Sequence, residues 1–230
     1  MASPVLHGRQ VVVLAHGLLA GRRSMRALAS GLGALGYEPI NWSYQSLRGS
    51  MVHHAADLSV ALRDVFTDAT IDRVHLVTHS MGAIIARMAL NRSRLECEFG
   101  AKCGRFVMLA PPNAGSHLTR FLLGPLACWF PQLAELSTSP TSVVNQLPPP
   151  RRMQVGVIAA KRDFVVSVQA THLTTQRDHV VVPTTHQRLV VHPEAIDLAV
   201  RFVALGQFAG ESDTINPSGD AAWMNRPKAA

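Results

Sequence analysis

The chain is poor in the residues that build metal sites and covalent staples. It carries three cysteines in 230 residues, with no C-x-x-C pair and no H-E-x-x-H run, so neither a thiolate zinc site nor a helix-borne histidine pair is expected, and no metal or organic cofactor is called for. Cys97 and Cys103 flank a short loop that a disulfide could close, a pairing that spacing leaves open, and Cys128 reads as a small buried hydrophobe. Charge is scarce as well, at 16% of residues. The net charge of +7 comes from scattered basic residues, in pairs such as Arg22-Arg23 and Arg151-Arg152. No basic helix or aromatic-interleaved patch appears, which argues against a nucleic-acid partner. The surplus serves solubility or a weak, transient attraction to acidic lipid interfaces. Long apolar runs are lacking too. None reaches the roughly 18 residues needed to span a bilayer, and the start at Met1 has no charged segment leading into an apolar one. A soluble protein is expected, cytoplasmic if that start is native.

What the chain does have is apolar content, 47% of its residues. That is enough for one well-buried core and too little chain for two catalytic domains. One domain is expected over residues 1–208, with a weakly packing tail at 209–230 rich in Gly, Ser, Asp, Asn and Pro. Residues 11–15, 37–43, 73–78, 105–110, 153–160 and 179–183 read as strands. Residues 24–35, 51–66, 81–90 and a segment within 194–208 read as helices. The alternation predicts an α/β fold, a mostly parallel sheet of about six strands with helices on both faces.

Residues 116–150 break the rhythm. Phe121, Leu122, Leu123, Leu126, Trp129, Phe130 and Leu133 crowd into this insertion, which ends in Pro148-Pro149-Pro150. A cap over a site and an ordinary helix packed on the sheet both fit such apolar density.

The chemistry is signalled by Val74-His75-Leu76-Val77-Thr78-His79-Ser80-Met81-Gly82-Ala83, an apolar strand turning sharply at a serine into an apolar helix. Such a nucleophile elbow holds the serine hydroxyl above the carboxyl edge of a sheet. A bland alternative is a serine that merely caps the helix. A serine hydroxyl is a weak nucleophile that needs a base and an orienting carboxylate. Asp163 follows one strand and His186 another, which would bring both to that same edge. His192 and His179 compete for the base and Asp178 for the acid, while His79 reads as a local structural group.

Val13-Leu-Ala-His-Gly-Leu18, Val77-Thr-His-Ser-Met-Gly-Ala83, Leu109-Ala-Pro-Pro-Asn-Ala-Gly-Ser116, Asp163-Phe-Val-Val-Ser-Val168 and Thr185-His186 together resemble the α/β-hydrolases of the small bacterial lipase and esterase type. The resemblance covers most of residues 11–205. It implies an α/β-hydrolase fold with a small cap insertion at 116–150, and the chain order of nucleophile Ser80, acid Asp163 and base His186. It implies oxyanion donors at the amides of Met81 and Leu18, on a loop whose His16 and Gly17 belong to the substrate site. Phe121 and Trp129 would then line an acyl pocket. Asn113, Gly115 and Ser116 either line that pocket or start a helix. Two positions depart from the pattern, Thr78 and Phe164, each where glycine is frequent. The activity implied is cleavage of small-molecule or lipid esters with an apolar acyl part. Acyl transfer from the same site, or a non-catalytic binding protein on the same fold, are the alternatives; oligomeric state is unreadable.

Overall fold

The computed structural model describes residues 8–116 and 135–209. The insertion positions Phe121 and Trp129, together with Cys128 and the tail beyond residue 209, lie outside the described residues.

Six strands form one all-parallel sheet: β1 (Arg9–Ala15), β2 (Glu38–Trp42), β3 (Ile71–His79), β4 (Cys103–Leu109), β5 (Gln154–Ala160) and β6 (Gln176–Val182), in the order β2-β1-β3-β4-β5-β6. The connecting helices are α1 (Arg26–Gly33), α2 (Met51–Thr67), α3 (Met81–Arg92), α4 (Leu95–Glu98), α5 (Val143–Gln146) and α6 (Pro193–Leu205). Alternation along β1 shows how the sheet divides the core. Val11 and Val13 face Leu58, Leu62, Ile84 and Ile85 of α2 and α3, whereas Val12 and Leu14 face Leu28, Leu32, Ala199 and Phe202 of α1 and α6. Both faces are covered, so the central strands read as continuous apolar runs.

Local signals set the helix ends. The Ser50 hydroxyl caps α2 by accepting from His53 N–H at 3.1 Å. Pro193 opens α6, and Gly206 at φ 79° closes it with its N–H donating to the Phe202 carbonyl. The segment expected as one helix over 24–35 is a 3-10 turn at Arg22–Met25 followed by the shorter α1. Strand β6 begins at Gln176, three residues before the apolar pattern starts. It is an edge strand, and its polar first residues are partly buried or exposed, so hydrophobicity does not report them. Cys97 and Cys103 are both free thiols. Among the described residues no helix is long and apolar enough to cross a membrane.

Buried His75 ties three strands together. Its Nε2–H donates to Gln10 Oε1 on β1 at 3.0 Å, and its Nδ1 accepts the Arg105 amide of β4 at 3.1 Å. That pairing requires the neutral ring. Desolvation, reinforced by the charges of Arg105 and Arg73, pushes the His75 pKa from 6.5 down to about 3. Between those values the unfolded chain binds a proton that the folded chain refuses. The stabilisation is therefore complete above 6.5 and lost as pH falls toward 3. Stability is expected to rise with pH across that window, with His75 contributing up to about 1.4 kcal/mol per pH unit. Urea unfolding from pH 4 to 7 checks it: His75→Gln should reduce the slope by that amount, and an unchanged slope would contradict the assignment.

Candidate active site

Three residues from separate loops meet at the carboxyl edge of the sheet. Ser80 stands between β3 and α3 with φ 51° and ψ −124°, a conformation that costs a non-glycine residue about 1–3 kcal/mol. The surroundings hold it there. Its N–H donates to the Leu109 carbonyl at 2.8 Å, and Gly82 lets α3 approach β1 so closely that a Cβ there would sit 2.5 Å from the His16 carbonyl oxygen. Ser80 occupies the N-cap position of α3, yet its hydroxyl makes no capping bond. Instead Oγ lies 2.9 Å from His186 Nε2.

His186 sits just past β6, and its Nδ1 lies 2.7 Å from Asp163 Oδ2. The Asp163 side chain is 1% exposed and that of His186 10%. Asp163 Oδ1 accepts the amides of Val165 and Val166, each at 2.8 Å, which orients the carboxylate so that Oδ2 faces the imidazole. Phe164 is 87% exposed. Its side chain leaves the fold, so a bulky residue at this position does not crowd Asp163. Thr78 is equally well accommodated, buried with its hydroxyl toward the Val107 carbonyl.

The competing groups are occupied elsewhere. His179 bonds Thr171 Oγ1 at 2.9 Å and stacks on His172. Asp178 lies inside β6 and accepts the Phe208 amide at 2.7 Å. His192 stands at the N-cap of α6. His79 is a structural partner of His186: its Nε2–H donates to the His186 carbonyl at 3.0 Å, and the rings lie 4.9 Å apart. Desolvation by burial, with the adjacent His186 as the second cause, pushes the His79 pKa down to about 3, so the ring is neutral.

The loop after β1 is a hydrogen-bonded turn. The Gly17 carbonyl accepts both His16 Nδ1–H at 2.9 Å and Ala20 N–H at 3.4 Å. The peptide is trans, so the N–H of Leu18 points to the opposite side. Leu19 pays for this turn with φ 58° and 71% exposure. His16 is fully buried and acts from behind the loop. Its ring stacks on Tyr44 at 4.4 Å, and its carbonyl accepts the Tyr44 hydroxyl at 2.7 Å. Gly17 supplies clearance: a Cβ would lie 3.0 Å from both His79 Nδ1 and Ser80 Cβ. Met81, first residue of α3, has an N–H without an intrahelical acceptor.

A model of the alpha/beta hydrolase family matches residues 12–229. The chain belongs to that family. No curated protein sequence matches this hydrolase. Among solved structures it is similar to a lipase of Bacillus licheniformis in mature form, at 16% identity and TM-score 0.59, covering 81% of this chain and 90% of that one. It is similar to lipase B of Aspergillus fumigatus at 16% identity and TM-score 0.68, covering 85% of this chain and 52% of the other. Phospholipase PlaB of Legionella pneumophila gives 18% identity and TM-score 0.65, over 86% and 60%. The hydrolase thus spans nine-tenths of the mature bacterial lipase and only about half of the fungal one.

Ser80 and His186 open into a cavity of about 410 Å³, within the range of small-molecule sites. Leu18, Leu19, Leu136, Val165, Val166 and Val190 make it mainly apolar, with Ser24, His79 and Gln187 among its polar lining residues. Ser116 and Pro112 of the loop after β4 also line it, whereas Asn113 is buried behind, held by Arg87 and the Thr171 carbonyl. Leu136 belongs to the described part of the 116–150 insertion. Neither Tyr44 nor Arg87 carries a signal in the sequence, because each acts through a partner distant along the chain.

Proposed function

We propose that this hydrolase cleaves carboxylic esters with an apolar acyl part through a Ser80–His186–Asp163 triad. The observation that carries the reading is the unbroken hydrogen-bond chain from Ser80 Oγ through His186 to Asp163, beginning at a strained serine whose hydroxyl ignores its helix. Ser80 Oγ attacks the ester carbonyl carbon while His186 Nε2 takes the hydroxyl proton. Asp163 keeps Nδ1–H in place and stabilises the imidazolium. The tetrahedral oxyanion meets the amides of Leu18 and Met81. Collapse breaks the bond to the alkoxy group, which leaves as an alcohol with the proton from Nε2. Water then repeats the cycle on the acyl-enzyme, releasing the acid and restoring Ser80. A fluorophosphonate probe tests the reading: it should label Ser80 alone, and labelling of another residue would overturn it.

Tyr44 supports the oxyanion loop through its bond to the His16 carbonyl. Tyr44→Phe keeps the stacked ring and loses that bond. Its kcat should fall about ten- to a hundredfold with KM little changed, because the loosened donor acts on the transition state. A change confined to KM would count against this role.

The insertion is the natural source of further acyl contacts, and transient contact with a lipid interface would use the same apolar mouth. Phe121→Ala or Trp129→Ala should lower kcat/KM about ten- to a hundredfold, more for longer acyl chains, if each side chain is buried against the substrate. Acetyl through decanoyl esters make the comparison. An equal loss at every length would identify a packing element instead.

A further inference from the structure

Arg87, in the middle of α3, is a buried cation without a counter-charge among the described residues. It is only 3% exposed, and desolvation pulls its pKa down to about 10. A guanidinium carries five N–H donors. Nη1 donates to Asn113 Oδ1 at 3.0 Å and Nη2 to the Leu147 carbonyl at 2.6 Å, while the buried Nε has no acceptor among the described residues. No described carboxylate lies within ion-pair distance of Arg87, and residues 117–134 contain neither Asp nor Glu. Buried charge is ordinarily paired.

Arg87 lines a second cavity, of about 450 Å³. It lies away from the reaction centre. Helix α3 starts at the carboxyl edge of the sheet and runs back toward the amino edge, where Arg152 precedes β5 by two residues. Exposed Arg94, Arg151 and Arg152 also line this cavity, with Pro148, Pro149 and Pro150 as one wall. Four arginines there face one carboxylate, Glu96, a formal surplus of three positive charges. Glu96 is already committed. It accepts the amides of Arg151, Arg152 and Met153 at 2.8 to 3.1 Å, which fixes the arginine-bearing loop against α4. The cavity is therefore preformed.

We propose that this cavity binds a small soluble phosphate-bearing anion, with Arg87 as its buried anchor and Arg94, Arg151 and Arg152 closing over it. Guanidinium groups match phosphate oxygens with paired, directional donors, and a multiply charged phosphate offsets several arginines where a monocarboxylate offsets one. The volume suits a ligand from pyrophosphate upward to drug size. The site is independent of the ester chemistry.

The test is thermal unfolding and titration calorimetry of the full chain with sodium pyrophosphate or inorganic phosphate, at ionic strength held constant with NaCl. Tm should rise with the logarithm of pyrophosphate concentration and not with NaCl alone. The double substitution Arg94→Ala/Arg151→Ala removes two exposed side chains, so it should fold. It should weaken pyrophosphate binding about ten- to a hundredfold. Arg87→Met should abolish binding; should it fail to fold, the double variant decides. No rise beyond the salt control overturns the proposal, as does an equal rise in wild type and double variant, which would mark diffuse attraction to a basic protein. Binding to phosphatidic acid vesicles without any response to soluble phosphates overturns it too.

Discussion

Ser80→Ala is expected to lower ester turnover by about a millionfold, the scale of loss when a triad serine is removed, while leaving substrate binding intact. The fold should survive. The backbone bond from Ser80 N–H to the Leu109 carbonyl is retained, and the lost hydroxyl contributes no helix cap. Alanine keeps the strain at φ 51°, whereas glycine is at ease there. Ser80→Gly should thus be equally inactive and more stable than Ser80→Ala by about 1–3 kcal/mol. Hydrolysis of a chromogenic ester, fluorophosphonate labelling and thermal unfolding separate the two effects. Near-normal turnover in either variant would remove Ser80 from the mechanism.

The second large effect concerns the base and its carboxylate. His186→Ala should approach the serine variant in severity, because nothing else described within hydrogen-bonding reach of Ser80 Oγ can take the proton. Asp163→Asn should cost about ten-thousandfold in kcat. The geometry gives the reason. The amides of Val165 and Val166 demand an acceptor at Oδ1, so the new side-chain NH₂ must take the place of Oδ2 facing His186 Nδ1. That donor selects the tautomer with its proton on Nε2, where it blocks transfer from Ser80. Asp178→Asn should instead lower stability with activity largely kept, since Asp178 holds the Phe208 amide. Steady-state kinetics on folded variants decides the order. A larger loss from His192→Ala or Asp178→Asn would displace Asp163 and His186 from these roles.

Much of the architecture was legible because the relevant signals are short in range. Apolar runs of five to seven residues marked the central strands, which are buried on both faces and need no polar alternation. The edge strand β6 was underestimated for the converse reason. Its first residues are polar and partly buried or exposed, so Asp178 looked like a loop residue before the strand when it lies within it. The splitting of α1 and the short helices α4 and α5 were likewise invisible, being too brief for periodicity.

The sequence by itself determined the alternation of strands and helices and the sharp turn at Ser80, because each is written in neighbouring residues and their steric demands, whereas the order of Ser80, Asp163 and His186 was implied only by resemblance to the α/β-hydrolases. Only the tertiary structure decided which of eleven histidines lies beside Ser80. That contact joins residues 106 positions apart, and the one to Asp163 spans 23. The same holds for Tyr44 reaching the His16 carbonyl across 28 positions, and for Arg87 reaching Leu147 across 60. A side chain's local sequence sets what it can donate or accept. The packing of the sheet sets what it finds within 3 Å, and burial then makes that partner count, because water no longer competes for the bond.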